Sequence, residues 1–383
     1  MPAADLWRLC GWLAIPYAAS LLAVGGAGIR ATPPWQILLP LAAVALPYAY
    51  CLARPLLGIE RILQRHPAFR PPIGVVLGAL ALLSLPQFGQ GLGVLLLSFY
   101  AVLAIDARRL PAGFARGLVA ALLATSLGLA TVCNINYLLA PTLSGALRDP
   151  ALVRLDVAMY EWLFARPLAY EALFPLARSP WAFGALETAY QVLFAELALV
   201  VVVLLWLGRD PTRFLRTVIL SYFAAVLVFA AYPAVGPCIH QPGSFDPAFR
   251  STATHHLMQR LTAEFTAAAA GAPGSGLAYF IAIPSLHAAL ATICQRFLAP
   301  APLIFWSFAP INAAVLLSTV LLGYHYLVDV PCGVVLALGA IWVVERLPDM
   351  AAPERRPRAA VSDLSLPLPG PGVSLAPSSR TGN

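Results

Sequence analysis

Apolar runs long enough to cross a bilayer recur from one end of this sequence to the other. Such a run needs roughly 20 residues, fewer where neighbouring segments shelter it. With no water to bond the backbone, each run must satisfy its own N–H and C=O groups, which means a helix. Ten spans are read at 7–29, 35–57, 73–86, 90–106, 115–139, 183–208, 214–232, 284–299, 302–322 and 326–346. The third and fourth are short enough for a tight hairpin or a partly re-entrant pair. Composition agrees: 60% of residues are hydrophobic and 11% charged, whereas soluble domains carry about 25% charged residues. The expected fold class is an all-α integral membrane protein, a polytopic helical bundle of about ten spans. No internal repeat is visible.

The charges sort by side. Lysine is absent, and all 24 basic residues are arginine. With ten spans both termini share a face, and seventeen arginines fall on it, including Arg8, Arg54, Arg61, Arg108, Arg209, Arg296 and Arg346. The positive-inside rule then puts both termini in the cytoplasm, in the expected setting of a bacterial inner membrane. The net charge of +7 is therefore an orientation signal, and no nucleic-acid partner is expected. The first span is longer than a usual signal core and is read as an uncleaved helix. The stretch 348–383 is rich in Pro, Ser and Gly without apolar periodicity, and reads as a disordered cytoplasmic tail. Six cysteines (Cys10, Cys51, Cys133, Cys238, Cys294, Cys332) lack CxxC or CxxH spacing and read as small core residues. Two long loops lie on the outer face, 140–182 and 233–283. The first looks like one or two interfacial helices, the second holds a helix candidate around 251–268, and loops this long are usually functional.

Ionisable residues inside spans are costly and default to functional hypotheses. Here they are Glu187, Glu196 and Asp329, with His287 and His325 at span mouths. In "GYHYLVDVPCG", His325 and Asp329 stand four apart, which on a helix puts both on one face. A carboxylate there fixes the imidazole tautomer and leaves the other ring nitrogen as nucleophile or base. In "FIAIPSLHAAL", Pro284 marks a helix start, with His287 in the first turn beside N–H groups suited to an anion. Topology places these two helix starts on the same outer face. That arrangement suits a phosphate: one imidazole attacks phosphorus and the other protonates the leaving oxygen.

At these residues the chain resembles a known family. "PSLH" and "STVLLGYHYLVD" look like the second and third signature motifs of the type 2 phosphatidic acid phosphatase superfamily. The likeness is closest to its inositol phosphorylceramide synthase-like (inositolphosphotransferase) branch, and "YPAVGP" (Tyr232–Pro237) also resembles a proline-rich segment that precedes the second motif there. It covers roughly residues 115–346. The implied domains are an N-terminal membrane module of about four spans (1–110), a six-span phosphatase-like core (111–347) and the tail. By resemblance, His325 forms a phosphohistidine, Asp329 orients it, and His287 is the general acid. Ser285 and Ser318 bind phosphate oxygens, with Pro284 in the same substrate-binding set. The implied partners are a membrane lipid phosphoester, water or an alcohol acceptor, and the bilayer; no cofactor and no metal are implied. Two departures stand out. The superfamily's first motif needs Lys and Arg-Pro, and this chain has no lysine; the Arg that commonly follows the third-motif Ser is Thr319. The synthase branch also tends to lack the first motif, so that departure shifts the likeness toward it. Candidates to neutralise phosphate instead are Arg148, Arg154, Arg166, Arg178, Arg250, Arg260, His240, His255 and His256.

Plainer readings stand beside these. Glu187 and Glu196 are nine apart, not on one clean face, and read first as buried hydrogen-bonding groups. The pair His255–His256 lacks a spaced third ligand and reads as solvated loop, and "YPAVGP" alone is also a loop breaker. The competing function is a membrane transporter in which His325 and Asp329 relay protons, but such sites lie near the midplane between repeated halves.

Overall fold

The structure is a computed structural model, and it describes residues 2–27, 114–165, 179–242, 252–272 and 279–347. Every regular element among them is helical. The expected second to fourth spans and the tail lie outside the described residues, as do Cys51, Arg166, Arg178 and Arg250.

The first helix, α1 (Pro2–Gly26), runs along α2 (Phe114–Leu143). Asn134 Nδ2 donates to Ser20 Oγ at 3.0 Å, and the Cys10 thiol donates to the Ala120 carbonyl at 3.2 Å. Trp7, Trp12, Ile15 and Leu22 on the opposite side are exposed, as a lipid-facing helix requires. A 3₁₀ turn leads into α3 (Asp149–Phe164), which falls in the first long loop as expected. Next come α4 (Pro180–Trp206) and α5 (Thr212–Ala231), then a short α6 (Pro237–His240). The second loop contributes α7 (Ala253–Ala269), close to the helix expected there. Three helices complete the described chain: α8 (Leu286–Leu298), α9 (Pro302–Leu321) and α10 (Asp329–Arg346).

Among the described residues, four helices are long and apolar enough to cross a membrane, in α1, α2, α5 and α9, or five if the bent α4 is one span. The protein is therefore a multi-pass membrane protein. At 13 residues, α8 extends only about 20 Å at 1.5 Å per residue, short of a bilayer core of roughly 30 Å. The helices α4, α5, α9 and α10 surround it, and eight of its 13 residues are buried. This sheltered position accommodates His287 in the first turn, as it does Gln295 near the other end.

Buried polar groups tie the bundle together. Asn312 on α9 donates to Glu196 Oε1 on α4 at 2.8 Å, and also to Gln295 Oε1 on α8 at 2.9 Å. Glu187 on α4 accepts from the Thr254 N–H and hydroxyl at 2.8 and 2.6 Å, which pins the start of α7. Tyr137 on α2 donates to Glu264 at 2.6 Å near the other end of α7. Both in-span glutamates thus bond to neighbouring helices. Cys10, Cys133, Cys238 and Cys294 are buried free thiols, as their apolar settings implied, and Cys332 is partly buried.

Candidate active site

Two helix starts meet at one point. The chain enters α8 through Ser285, whose extended backbone ends the preceding loop. Its hydroxyl, fully buried, accepts the Ala288 N–H at 3.3 Å, an N-cap of the kind worth about 1 kcal/mol. The helix therefore begins at Leu286, two residues after Pro284, and not at the proline as the sequence implied; the capping serine decides the start. His287 still falls in the first turn. The Ser285 N–H donates to the Asp329 carbonyl at 3.0 Å, so the first residue of α10 touches the cap of α8. Gly333, one turn along α10, makes that approach possible: a Cβ there would run into the Ser285 carbonyl and crowd Ala288.

His325 is not on a helix. It sits in the loop between α9 and α10, and α10 begins only at Asp329. The four-residue spacing brings the two together through a turn rather than along a helical face. The turn forms because Asp329 Oδ2 accepts the Tyr326 N–H at 2.8 Å, while the Thr319 carbonyl accepts the N–H groups of both Tyr324 and His325. Nδ1 of His325 lies 2.8 Å from the Ala282 carbonyl and 3.5 Å from Asp329 Oδ2. A carbonyl accepts only, so this contact makes Nδ1 the protonated nitrogen and Nε2 the one with a free lone pair. The His325 ring is 6% exposed and Asp329 is fully buried.

His287 faces this ring across a centroid distance of 6.1 Å at 60°. Tyr190 from α4 stacks on it at 4.0 Å and 20°, and stacks its other face on Tyr324 at 4.4 Å and 17°. Phe194 adds an edge contact at 5.8 Å. His287 Nε2 is buried without a hydrogen-bond partner among the described residues, as is Asp329 Oδ1. An aromatic wall thus fixes the His287 ring and leaves its Nε2 without a hydrogen bond among the described residues.

The "YPAVGP" segment does more than break a helix. Ala234 accepts from the Ala282 N–H at 2.9 Å, which positions the carbonyl that holds His325. The Cys238 N–H donates to Gly323 at 3.1 Å. Gly236, at φ +89°, lies so close to the Tyr324 carbonyl that a Cβ would collide with it, in a conformation only glycine adopts easily. Below it, Asp149 accepts the N–H groups of Val235 (3.2 and 3.1 Å) and Gly236 (2.8 Å), and the Tyr326 hydroxyl at 3.0 Å. Asp156, two turns further along α3, accepts the Leu327 N–H at 2.6 Å. Burial raises both carboxyls, Asp156 to about 7, against the opposing pull of these donors. Neither aspartate was singled out from sequence. Their seven-residue spacing on an amphipathic segment was the available signal, as one helical face carries both.

The remaining expected residues scatter. Ser318 is buried in α9 and donates to the Val315 carbonyl at 2.7 Å. Arg148, Arg154 and Arg260 are exposed; His256 is exposed, and His240 and His255 are partly buried. Among the described residues no three or more His, Cys, Asp or Glu side chains group as metal donors.

A family model described as the PAP2 superfamily matches residues 151–343, half of the chain, spanning both histidines, the "YPAVGP" segment and Asp156. No curated protein and no solved structure matches.

Proposed function

This chain belongs to the PAP2 superfamily, which makes it a phosphatase or phosphotransferase of that type, and we propose that it acts on a membrane lipid phosphoester through a phosphohistidine on His325. Nε2 of His325 attacks phosphorus while its Nδ1–H stays on the Ala282 carbonyl. The P–O bond to the leaving group breaks as His287 delivers a proton to the departing oxygen. Water or an alcohol, deprotonated by His287, then attacks the phosphohistidine and releases the phosphoryl group. Asp329 stabilises the imidazole, and Pro284 and Ser285 at the entry to α8 border the phosphate. Charge on the phosphoryl oxygens is met by imidazoles, helix-start N–H groups and arginine, and turnover needs no divalent metal.

The observation that carries this reading is the pairing of two imidazoles with different second partners. His325 has Nδ1 engaged at 2.8 Å, which frees Nε2, whereas His287 Nε2 is buried with no hydrogen-bond partner among the described residues. The two rings lie 6.1 Å apart, centroid to centroid, which puts both imidazoles at one point of the fold. The lack of any lysine and the HY-then-D third motif support the inositolphosphotransferase-like branch, and hence an alcohol acceptor. The arginine distribution supports ten spans, a six-span core, cytoplasmic termini and an outward-facing site.

Incubation of purified protein with labelled lipid phosphodiesters and monoesters, in excess chelator, with and without inositol, tests this. The expected result is phosphoryl-group release or transfer, with a new labelled phosphoinositol product when inositol is present. No turnover on any lipid phosphoester, or turnover restored only by magnesium, contradicts it.

A further inference from the structure

We propose that Asp149 and Asp156 of α3 are positioning residues that aim the nucleophile, holding the 323–328 loop from below without touching substrate. The inference rests on His325 being that nucleophile. Three carboxylates grip the loop within two residues of His325. Asp329 holds the Tyr326 N–H at 2.8 Å, Asp156 the Leu327 N–H at 2.6 Å, and Asp149 the Tyr326 hydroxyl at 3.0 Å. Only Asp329 is near the loop in sequence. The other two arrive from 171 and 177 residues away, on α3.

The cost of this arrangement argues for a purpose. Asp149 and Asp156 are 0% and 1% exposed, and a carboxyl buried that far is unfavourable unless its bonds compensate. Apolar residues would pack α3 against the loop without that penalty; Leu152 already packs with Ala234, Ala282 and Tyr326 in one cluster, and Tyr160 with Val320. What apolar packing does not supply is direction. Hydrogen bonds to named N–H groups are directional and so orient the loop backbone, and Asp149 bonds both sides of the seam at once, the Val235–Gly236 backbone and Tyr326. A single helix thereby sets the register between the segment carrying Ala234 and the loop carrying His325. A displacement of about 1 Å in such a nucleophile is enough to lower turnover by on the order of 100-fold.

The test compares Asp156→Ala, Asp156→Asn and Tyr326→Phe in full-length protein, using the lipid substrate and an aryl phosphate. Asp156→Ala should lower kcat by about tenfold or more with KM within about twofold, and equally on both substrates, because aim matters whatever the leaving group. Asp156→Asn keeps an acceptor oxygen and should recover most of the lost kcat. Tyr326→Phe deletes one hydroxyl, disturbs folding least, and should lower kcat several-fold in the same pattern. A raised KM at unchanged kcat would mean substrate contact, and unchanged kcat in both Asp156→Ala and Tyr326→Phe would mean mere scaffolding; either overturns the inference. If His325→Ala also retains full turnover, the phosphohistidine reading itself has failed, and that outcome is separately visible.

Discussion

Nδ1 of His325 lies closer to the Ala282 carbonyl oxygen, at 2.8 Å, than to the Asp329 carboxylate, at 3.5 Å. The backbone therefore shares the task of fixing the tautomer with the side chain four residues on. Asp329→Asn should consequently lower kcat by roughly 10–100-fold rather than abolish turnover, since one acceptor for Nδ1–H remains. Steady-state kinetics on the lipid substrate checks this; a loss equal to that of His325→Ala would mean that the carbonyl contributes nothing.

The two histidines should separate by leaving group. His287→Ala removes a proton donor, which an aryl phosphate with a good leaving group scarcely needs, so that variant should recover partial activity on it. His325→Ala removes the attacking atom and should be inactive on both substrates. Rescue of the His325 variant instead would reverse the roles.

Gly333 is the point where α10 meets the cap of α8. Gly333→Val places methyl groups against the Ser285 carbonyl and Ala288, which must separate the helix starts that carry His287 and Asp329. Overpacking of this kind costs about 1–3 kcal/mol, and activity should fall further than stability alone explains. Thermal denaturation in detergent and kcat, measured together, check it; a variant with wild-type values of both would show that the helices part freely.

Much of this site could be read before any coordinates. "PSLH" and "GYHYLVD" identified both histidines, because each joins a helix-start signal to an imidazole where lipid would exclude one. The span reading also located α1, α2, α4, α5 and α9, whose long apolar runs report directly on their surroundings. Less was legible where long-range contacts decide. Ser285 rather than Pro284 begins α8, as capping geometry depends on a backbone turn that the proline alone does not fix. His325 and Asp329 meet across a loop, since three backbone N–H groups are drawn there by Thr319 and Asp329. Asp149 and Asp156 offer only their seven-residue spacing, and Tyr190 no local motif; their partners are the 234–236 segment, the 323–328 loop and His287, which sequence separation hides.

The Asp156 carboxyl gives a pH signature. Burial raises it from an ordinary value of 3.8 to about 7, so the folded state holds a proton that the unfolded chain has released. Its contribution to stability is complete below about pH 4, declines as pH rises toward 7, and then levels off. Asp156→Asn cannot titrate. The wild-type denaturation midpoint should therefore fall relative to that of the asparagine variant between pH 4 and 7, and run parallel above. Parallel curves across the whole range would contradict the shift.

The central claim is a covalent phosphoryl intermediate on one particular nitrogen-bearing side chain. The most direct measurement is rapid quenching of the enzyme with a lipid substrate labelled at phosphorus, under alkaline conditions that preserve phosphohistidine, followed by peptide mapping. The account predicts acid-labile, alkali-stable label on the peptide containing His325, absent in His325→Ala and accumulating when the acceptor is withheld. Label on another residue, or turnover with no trapped label under conditions where release is slowed, would contradict it.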